Sequence, residues 1–389
     1  MPAPNLPLLL PLLSKLIELP SISCTNPRID QGNRGVIDQL AQWFEALGFS
    51  IEIQPLPKQP SKANLIATLG SGPGGLVLAG HTDTVPCDES LWSSNPFAMT
   101  ERDQRLYGLG VCDMKGFFPL VIEAIRDMPL DKLNHPLIIL ATADEESSMA
   151  GARALADAGK PKARFALIGE PTGMRPVHMH KGIMMERIHI QGQAGHSSDP
   201  SLGRNAAESM QRVMAELMLF RGELQQQYRN ELFKVPVPTL NLGCIHGGDN
   251  PNRICGQCSL EYDLRPLPGM QPAELREMIR QRLQPIAQAD QVTISVEPIF
   301  ESILPFATAP SSELVTACEQ LTGYRAETVA FATEAPFLSS MGMETLVLGP
   351  GDIDQAHQPD EFLALDRIPP MVNLLRSLIR RFCLEAGQV

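Results

Sequence analysis

Along most of its length the chain alternates short apolar runs with stretches of helical periodicity, and this alternation commits it to a mostly parallel α/β sheet flanked by helices. Val36, Ile37, Leu40, Phe44 and Leu47 lie on one helical stripe that ends at Gly48, a candidate left-handed cap. Strands are expected at Ser50–Gln54, Asn64–Leu69, Leu76–Ala79, Pro136–Thr142 and Arg164–Ile168. Helices are expected at Gly116–Met128 and Ala150–Ala158, and the Pro-rich stretch Gln54–Pro60 reads as a loop.

From Lys181 the pattern changes. Arg187–Gln193 reads as a strand, Asn205–Phe220 as a helix, Thr239–His246 and Gln257–Leu264 as strands. A helix at Pro272–Ile286 and a strand at Gln291–Pro298 complete a β-α-β-β-α-β series, the ferredoxin-like split unit, which is a small α+β domain in itself. The alternating pattern then resumes with a helix at Ser311–Leu321, strands near Thr328–Phe331 and Thr345–Leu348, and a last helix over Arg367–Phe382. The expected organisation is a larger catalytic domain from residues 1–180 and 301–389, interrupted by an inserted domain at residues 181–300. A length of 389 residues supports two cores better than one.

A formal net charge of -12 argues against a nucleic-acid partner, which needs a basic face. It reflects solubility more readily than a cationic substrate. The apolar N-terminal run is interrupted by Pro4, Pro7 and Pro11 and has no basic segment before it, so it reads as a first helix, Leu8–Leu19, rather than a signal peptide. No apolar stretch reaches the roughly 20 residues of a membrane span. A soluble, cytoplasmic chain without a membrane partner is expected. Eight scattered cysteines include one CxxC pair, Cys255 and Cys258, with no second pair to complete a structural zinc site. Reduced thiols are the plain expectation.

Chemistry concentrates at four strand ends. His81 and Asp83 follow one strand in LAGHTDTVP, and Asp113 precedes a helix in LYGLGVCDMKG. Asp144, Glu145 and Glu146 end the apolar strand of ILATADEESS, and Glu170 ends that of LIGEPT. One acid at a strand end could be a helix cap. Consecutive acids after a buried strand are unfavourable unless a cation or another positive group neutralises them. Imidazole with carboxylate and no thiolate suits zinc or cobalt, since magnesium and calcium prefer oxygen alone. Two such ions about 3.5–4 Å apart need a bridging acid and terminal ligands on each side, and lower the pKa of a shared water toward about 7.

HTDTVP, GVCDMKG, TADEE, GEPT, GHSSDP and the late AHQPDEF resemble the aminoacylase-like family of dizinc amidohydrolases and peptidases. Within it, TADEESSMAGAR, GHSSDPSLGRNA, PTLNLGCIHGGDNPNRIC, DLRPLPGM, ATEAPF and LGPGDIDQAHQPDEF resemble the branch that removes the acetyl group from N-acetylornithine. The resemblance implies two zinc ions per subunit, with cobalt as a possible substitute, and a homodimer whose inserted domain is lid and interface. It implies that His81 and Glu170 hold one ion, His357 and Glu146 the other, and that Asp113 bridges them. Glu145 becomes the general base, Asp83 orients the His81 imidazole, and His196 reaches across the dimer to the developing oxyanion. Arg265 and Asn252 grip the substrate α-carboxylate, and Glu334 is the candidate partner of the ornithine ammonium. Succinyl-diaminopimelate desuccinylation and broad N-acyl-amino-acid deacylation are the rival activities; a metal-binding scaffold without catalysis is the rival class.

Other residues have plainer readings. Asp144 serves equally as an orienting acid or a cap, and Lys181 as a surface residue at the domain crossing or a substrate contact. His178, His180 and His246 fit surface or loop positions better than a cleft. His135 reads as a loop residue and His189 as the solvent side of a strand. The 17 methionines show no spacing and read as core filler.

Overall fold

The computed structural model describes residues 6–57 and 59–385. Pro4, and Lys58 within the Pro-rich stretch, lie outside the described residues. The chain forms two compact units: residues 1–178, 308–327 and 333–389 make the first, and residues 179–307 with 328–332 the second.

The first unit is an α/β sheet with helices against it. Its centre is four parallel strands in the order Leu137–Thr142, Leu76–His81, Phe165–Ile168, Glu344–Val347. Every residue of the first three is buried, which explains their unbroken apolar runs. The neighbours are antiparallel: Gln59–Leu69 pairs with Leu137–Thr142 and carries Ser50–Leu56 on its outer side. Leu76, Leu78, Leu137, Ile139, Leu167 and Leu346 join one core with Leu13, Leu40, Phe44, Phe118, Val121 and Leu375 of the helices. Each such side chain contributes roughly 1.5–3 kcal/mol by leaving water.

Because the central strands are parallel and in register, their carboxyl ends lie along one edge. His81 pairs with Thr142, and Ala79 with both Leu140 and Ile168, which in turn faces Val347. Ligands of open parallel sheets bind beyond that edge. Gly169 follows Ile168 there; a Cβ on it would stand 2.2 Å from the Phe117 ring, so only glycine lets the chain turn into Glu170 at this point.

The expected loop at Gln54–Pro60 is a correction: Ser50–Leu56 and Gln59–Leu69 are paired strands with an irregularity at Pro55–Leu56. Ser50–Leu56 is the edge of the sheet, and an edge is where proline, lacking an N–H, is tolerated. A three-stranded sheet of Phe362–Ala364, Arg105–Tyr107 and Thr100–Arg102 was not foreseen, because strands of three residues leave no periodicity to read.

The second unit holds a sheet in the order Thr239–Gly247, Gln257–Arg265, Met184–Gln191, Thr293–Pro298, all antiparallel. Helices Ala206–Gln227 and Pro272–Asp290 share its core with Ile188, Ile190, Leu260, Tyr262 and Leu264. This is the β-α-β-β-α-β arrangement. All eight cysteines are free thiols, and Cys255 and Cys258 belong to this core.

Candidate metal centre

The sheet edge gathers the acids and imidazoles that follow it. His81 ends its strand with the side chain 1% exposed. Its Nδ1 donates to the main-chain carbonyl of Asp83 at 2.9 Å, and the neutral ring then bears a lone pair on Nε2. Nε2 faces Asp113 Oδ1 at 3.1 Å and Glu170 Oε2 at 3.8 Å. Burial opposes a charge on the ring, but Glu170 and Asp113 push the imidazole well above its ordinary value, so that without a metal a proton sits there. Three acceptors meeting in this way repel unless a cation or a proton lies among them. Across the cluster, His357 Nε2 stands 3.1 Å from Glu146 Oε2 and 3.6 Å from Asp113 Oδ2. The two oxygens of Asp113 therefore face opposite imidazoles. His81, Asp113 and Glu146 bring one donor atom each within 4.8 Å of one another.

The ionisation of the cluster tells the same story. Burial, reinforced by the charge of Glu170, pushes the Glu145 carboxyl well above its ordinary value. Burial does the same to Glu170, against the pull of His81. Glu146 is raised by burial in spite of its bond with His357. Burial also works on Asp113, but the bond from His81 and the charges of both imidazoles leave its carboxyl below the usual range. Glu170 Oε1 is buried with no hydrogen-bond partner among the described residues. The ion pairs made by Asp113, Glu146 and Glu170 are with imidazoles. The donor set fits divalent cations of the zinc type.

The expected ligands are thus brought together. Asp83 reaches His81 through its main chain; its carboxylate lies 3.9 Å from Nδ1 and instead accepts the Glu146 N–H at 3.0 Å. Glu334 is 1% exposed at the start of the helix Ala335–Ser340, deeper than a loop residue. One of its oxygens accepts from Thr142 Oγ1 at 2.8 Å, and the other has no partner among the described residues. Burial pushes its carboxyl up to about 7.

Two groups hold the loops that carry these residues, and each depends on a side chain the sequence reading did not single out, Lys62 in one and Glu361 in the other. Asp144 anchors the turn before Glu145, with φ of 66°. It accepts from Ser23 Oγ at 2.6 Å, from Ser147 Oγ at 2.9 Å and from the buried Lys62, whose ammonium also meets Asp30 at 2.8 Å. Burial disfavours the Lys62 ammonium, yet Asp144 and Asp30 hold its pKa above the ordinary value. Lys62→Met leaves Asp144 buried without its cation, so urea unfolding should show a loss of roughly 3–5 kcal/mol. A change below about 1 kcal/mol would refute the anchor. The second group is Glu361, 2% exposed, whose carboxylate faces the loop that carries Asp113. Burial pushes it up to about 8, against the pull of its N–H donors. The sequence signal was available: an acid four residues past His357, inside AHQPDEF.

Within the second unit, His196 Nδ1 accepts the Ser198 N–H at 3.2 Å, so the neutral ring carries its proton on Nε2, on an exposed side chain. Asn252 stays with it: the Ser197 N–H donates to the Asn252 carbonyl at 3.1 Å. Arg265 does not. Its guanidinium Nε is held by Asp263 at 2.9 Å, at the far end of the strand Gln257–Arg265. Nine residues of strand span about 25 Å. Arg265 and Asn252 of one copy therefore cannot grip one carboxylate together; a shared grip would need one residue from each of two copies. His178 and His180 are buried, not surface residues, with Nδ1 donating to the Thr308 and Lys181 carbonyls respectively. Lys181 is also buried and donates to the Val237 carbonyl at 2.7 Å, so the surface reading fails there too.

Against known proteins, the profile of peptidase family M20/M25/M40 matches residues 77–381. The chain belongs to that family. Among similar members, the acetylornithine deacetylase of Proteus mirabilis is 49% identical over 380 residues, covering 98% of each chain. That of Edwardsiella ictaluri is 50% identical over 379 residues, 97% of this chain and 99% of the other. The M20/M25/M40 fold also matches a solved M20 dinuclear metal-binding peptidase of Bacillus subtilis with a TM-score of 0.67 at 15% identity, over 95% of this chain and 97% of that one.

Proposed function

We propose that this protein hydrolyses N2-acetyl-L-ornithine to L-ornithine and acetate as a metal-dependent amidohydrolase. The observation that carries the reading is His81 Nε2 turned on Asp113 and Glu170 while Nδ1 is engaged with the Asp83 carbonyl, an arrangement that only a proton or a cation at Nε2 satisfies, beside a Glu170 Oε1 that is buried without a partner among the described residues. The acetylornithine deacetylases named above, similar from end to end, support the substrate. His81 and Glu170 would hold one ion, His357 and Glu146 a second, with Asp113 shared; zinc fits the donors, and cobalt substitutes. Such ions supply Lewis acidity to an acyl carbonyl and acidify water toward about pH 7.

The chain's own groups do the rest. Glu145, raised by burial and by Glu170, takes a proton from the attacking water and returns it to the leaving amine. Asp83 fixes the His81 tautomer through its carbonyl and holds the Glu146 N–H with its carboxylate. His196 of a second copy, reaching across the dimer, would offer Nε2–H to the developing oxyanion, and Arg265 and Asn252, one from each of two copies, would take the substrate carboxylate. We place the reaction in cytoplasmic arginine biosynthesis and assign a homodimer. No helix among the described residues is long and apolar enough to cross a membrane. The dimer is supported by the edge strand Thr239–Gly247, which ends a sheet beside a helix that exposes Met218 and Leu219.

The test is steady-state hydrolysis of N-acetylornithine, succinyl-diaminopimelate and N-acetylmethionine by metal-stripped and reconstituted protein. Preference for acetylornithine that chelation abolishes is expected; a preference for either rival overturns the substrate assignment. Glu334 is assigned to the ornithine ammonium through its unpartnered Oε1. Glu334→Gln should raise KM for acetylornithine at least tenfold more than for acetylmethionine, and equal effects would remove the idea. Because its carboxyl is pushed up to about 7, protonation as pH falls through neutrality should weaken acetylornithine binding, and KM should rise.

A further inference from the structure

The geometry points to Glu361 as the positioning residue that clamps the Asp113 loop onto the His357 segment and so sets the spacing of the shared ligand. The inference rests on the dinuclear reading above. Glu361 Oε1 accepts the N–H groups of Cys112 at 2.8 Å and of Asp113 itself at 3.0 Å, while Oε2 accepts that of Gly110 at 2.9 Å. Its own carbonyl accepts the Gly108 N–H at 3.1 Å. Four main-chain donors from six consecutive residues thus converge on one residue. Both carboxylate oxygens are engaged with main chain, so Glu361 serves the loop and is not itself a ligand.

The clamp is anchored on its other side. Phe362–Ala364 pairs with Arg105–Tyr107, which leads directly into the Asp113 loop. Four residues before Glu361, His357 has φ of 62°, a left-handed conformation uncommon outside glycine that histidine adopts more readily than most residues. The turn between them is tied down at Asp360, which accepts from Ser93 N at 2.8 Å and from Ser93 Oγ at 2.7 Å. Glu361 therefore joins the two segments whose side chains meet at Asp113 Oδ2 and His357 Nε2. A neutral acceptor could serve only part of this role. An amide in place of the carboxylate keeps one oxygen and turns an NH2 group on the remaining N–H donors.

Calorimetric titration of metal-stripped wild type, Glu361→Gln and Glu361→Asp with zinc tests it, with cobalt absorption as the spectroscopic readout and circular dichroism to confirm folding. Asp113 is shared, so both ions should bind about 10–100-fold more weakly to the variants, and the cobalt spectrum should change. A folded variant with a lower Tm but zinc Kd within twofold of wild type would mean a merely structural role and overturn the inference. If wild type itself takes up no zinc, the dinuclear reading falls and this inference with it; if wild type binds and the variants match it, Glu361 alone loses its role. Should neither variant fold, hydrogen exchange on wild type decides: slow exchange at Gly110, Cys112 and Asp113 in metal-stripped protein is expected, and rapid exchange there overturns the clamp.

Discussion

Glu145→Gln should lower kcat for N-acetylornithine by about 10²–10⁴-fold, the usual range for losing a general base, while zinc binding and KM stay close to wild type. The substitution keeps shape and volume and removes only the ability to accept a proton. Its neighbours explain why so local a change should act alone. Asp144 is fixed by Ser23, Ser147 and Lys62, and the Glu146 N–H is held by Asp83, so the turn does not depend on Glu145 for its path. Glu145 retains some accessible surface, yet burial and the charge of Glu170 raise its carboxyl well above the ordinary value, as a base working near neutral pH requires. Single-turnover hydrolysis with saturating zinc isolates the chemical step. A fall of less than tenfold would place the base elsewhere.

Asp113→Asn carries the second large effect. Its two oxygens face His81 at 3.1 Å and His357 at 3.6 Å, and an amide presents NH2 to one of them. Affinity for both ions should fall by more than the roughly 100-fold that outer partners of ligands command, and turnover should approach background. Thermal unfolding gives an independent check. Zinc at about a thousand times Kd adds about 4 kcal/mol to the native state of wild type, and the same concentration should raise the Tm of Asp113→Asn little. Two ions retained at wild-type affinity would show that Asp113 bridges nothing.

The candidate site was legible in the sequence where the chain is most regular. His81, Glu145, Glu146 and Glu170 directly follow strands whose unbroken apolar runs announced themselves, and a parallel sheet sends such ends to one edge. His357 lies beyond Glu344–Val347 in a turn without periodicity, and only its motif marked it. What escaped notice was polar support at a distance. Lys62 reads as an ordinary lysine at a strand start until folding brings Asp144, 82 residues away, against it. Glu361 stood in the same motif as His357, but its donors lie about 250 residues upstream, and no local pattern encodes such partners. Asn252 and Arg265 were assigned to one carboxylate through the resemblance alone, and nothing in the sequence shows that the extended strand Gln257–Arg265 separates them within one copy.

The order in which the chain is made bears on the strand Glu344–Val347, which lies beside Phe165–Ile168 although the whole of the second unit separates them in sequence. A nascent polypeptide leaving the ribosome N-terminus first presents His81, Asp113, Glu146 and Glu170 while this strand, His357 and Glu361 are still to be synthesised. Non-local pairing of this kind is slow and comes late. On the proposed ligand assignment the second ion has its full set of residues only when synthesis is complete, and a transcript truncated forty codons early should yield protein that binds fewer ions than the full chain by metal analysis.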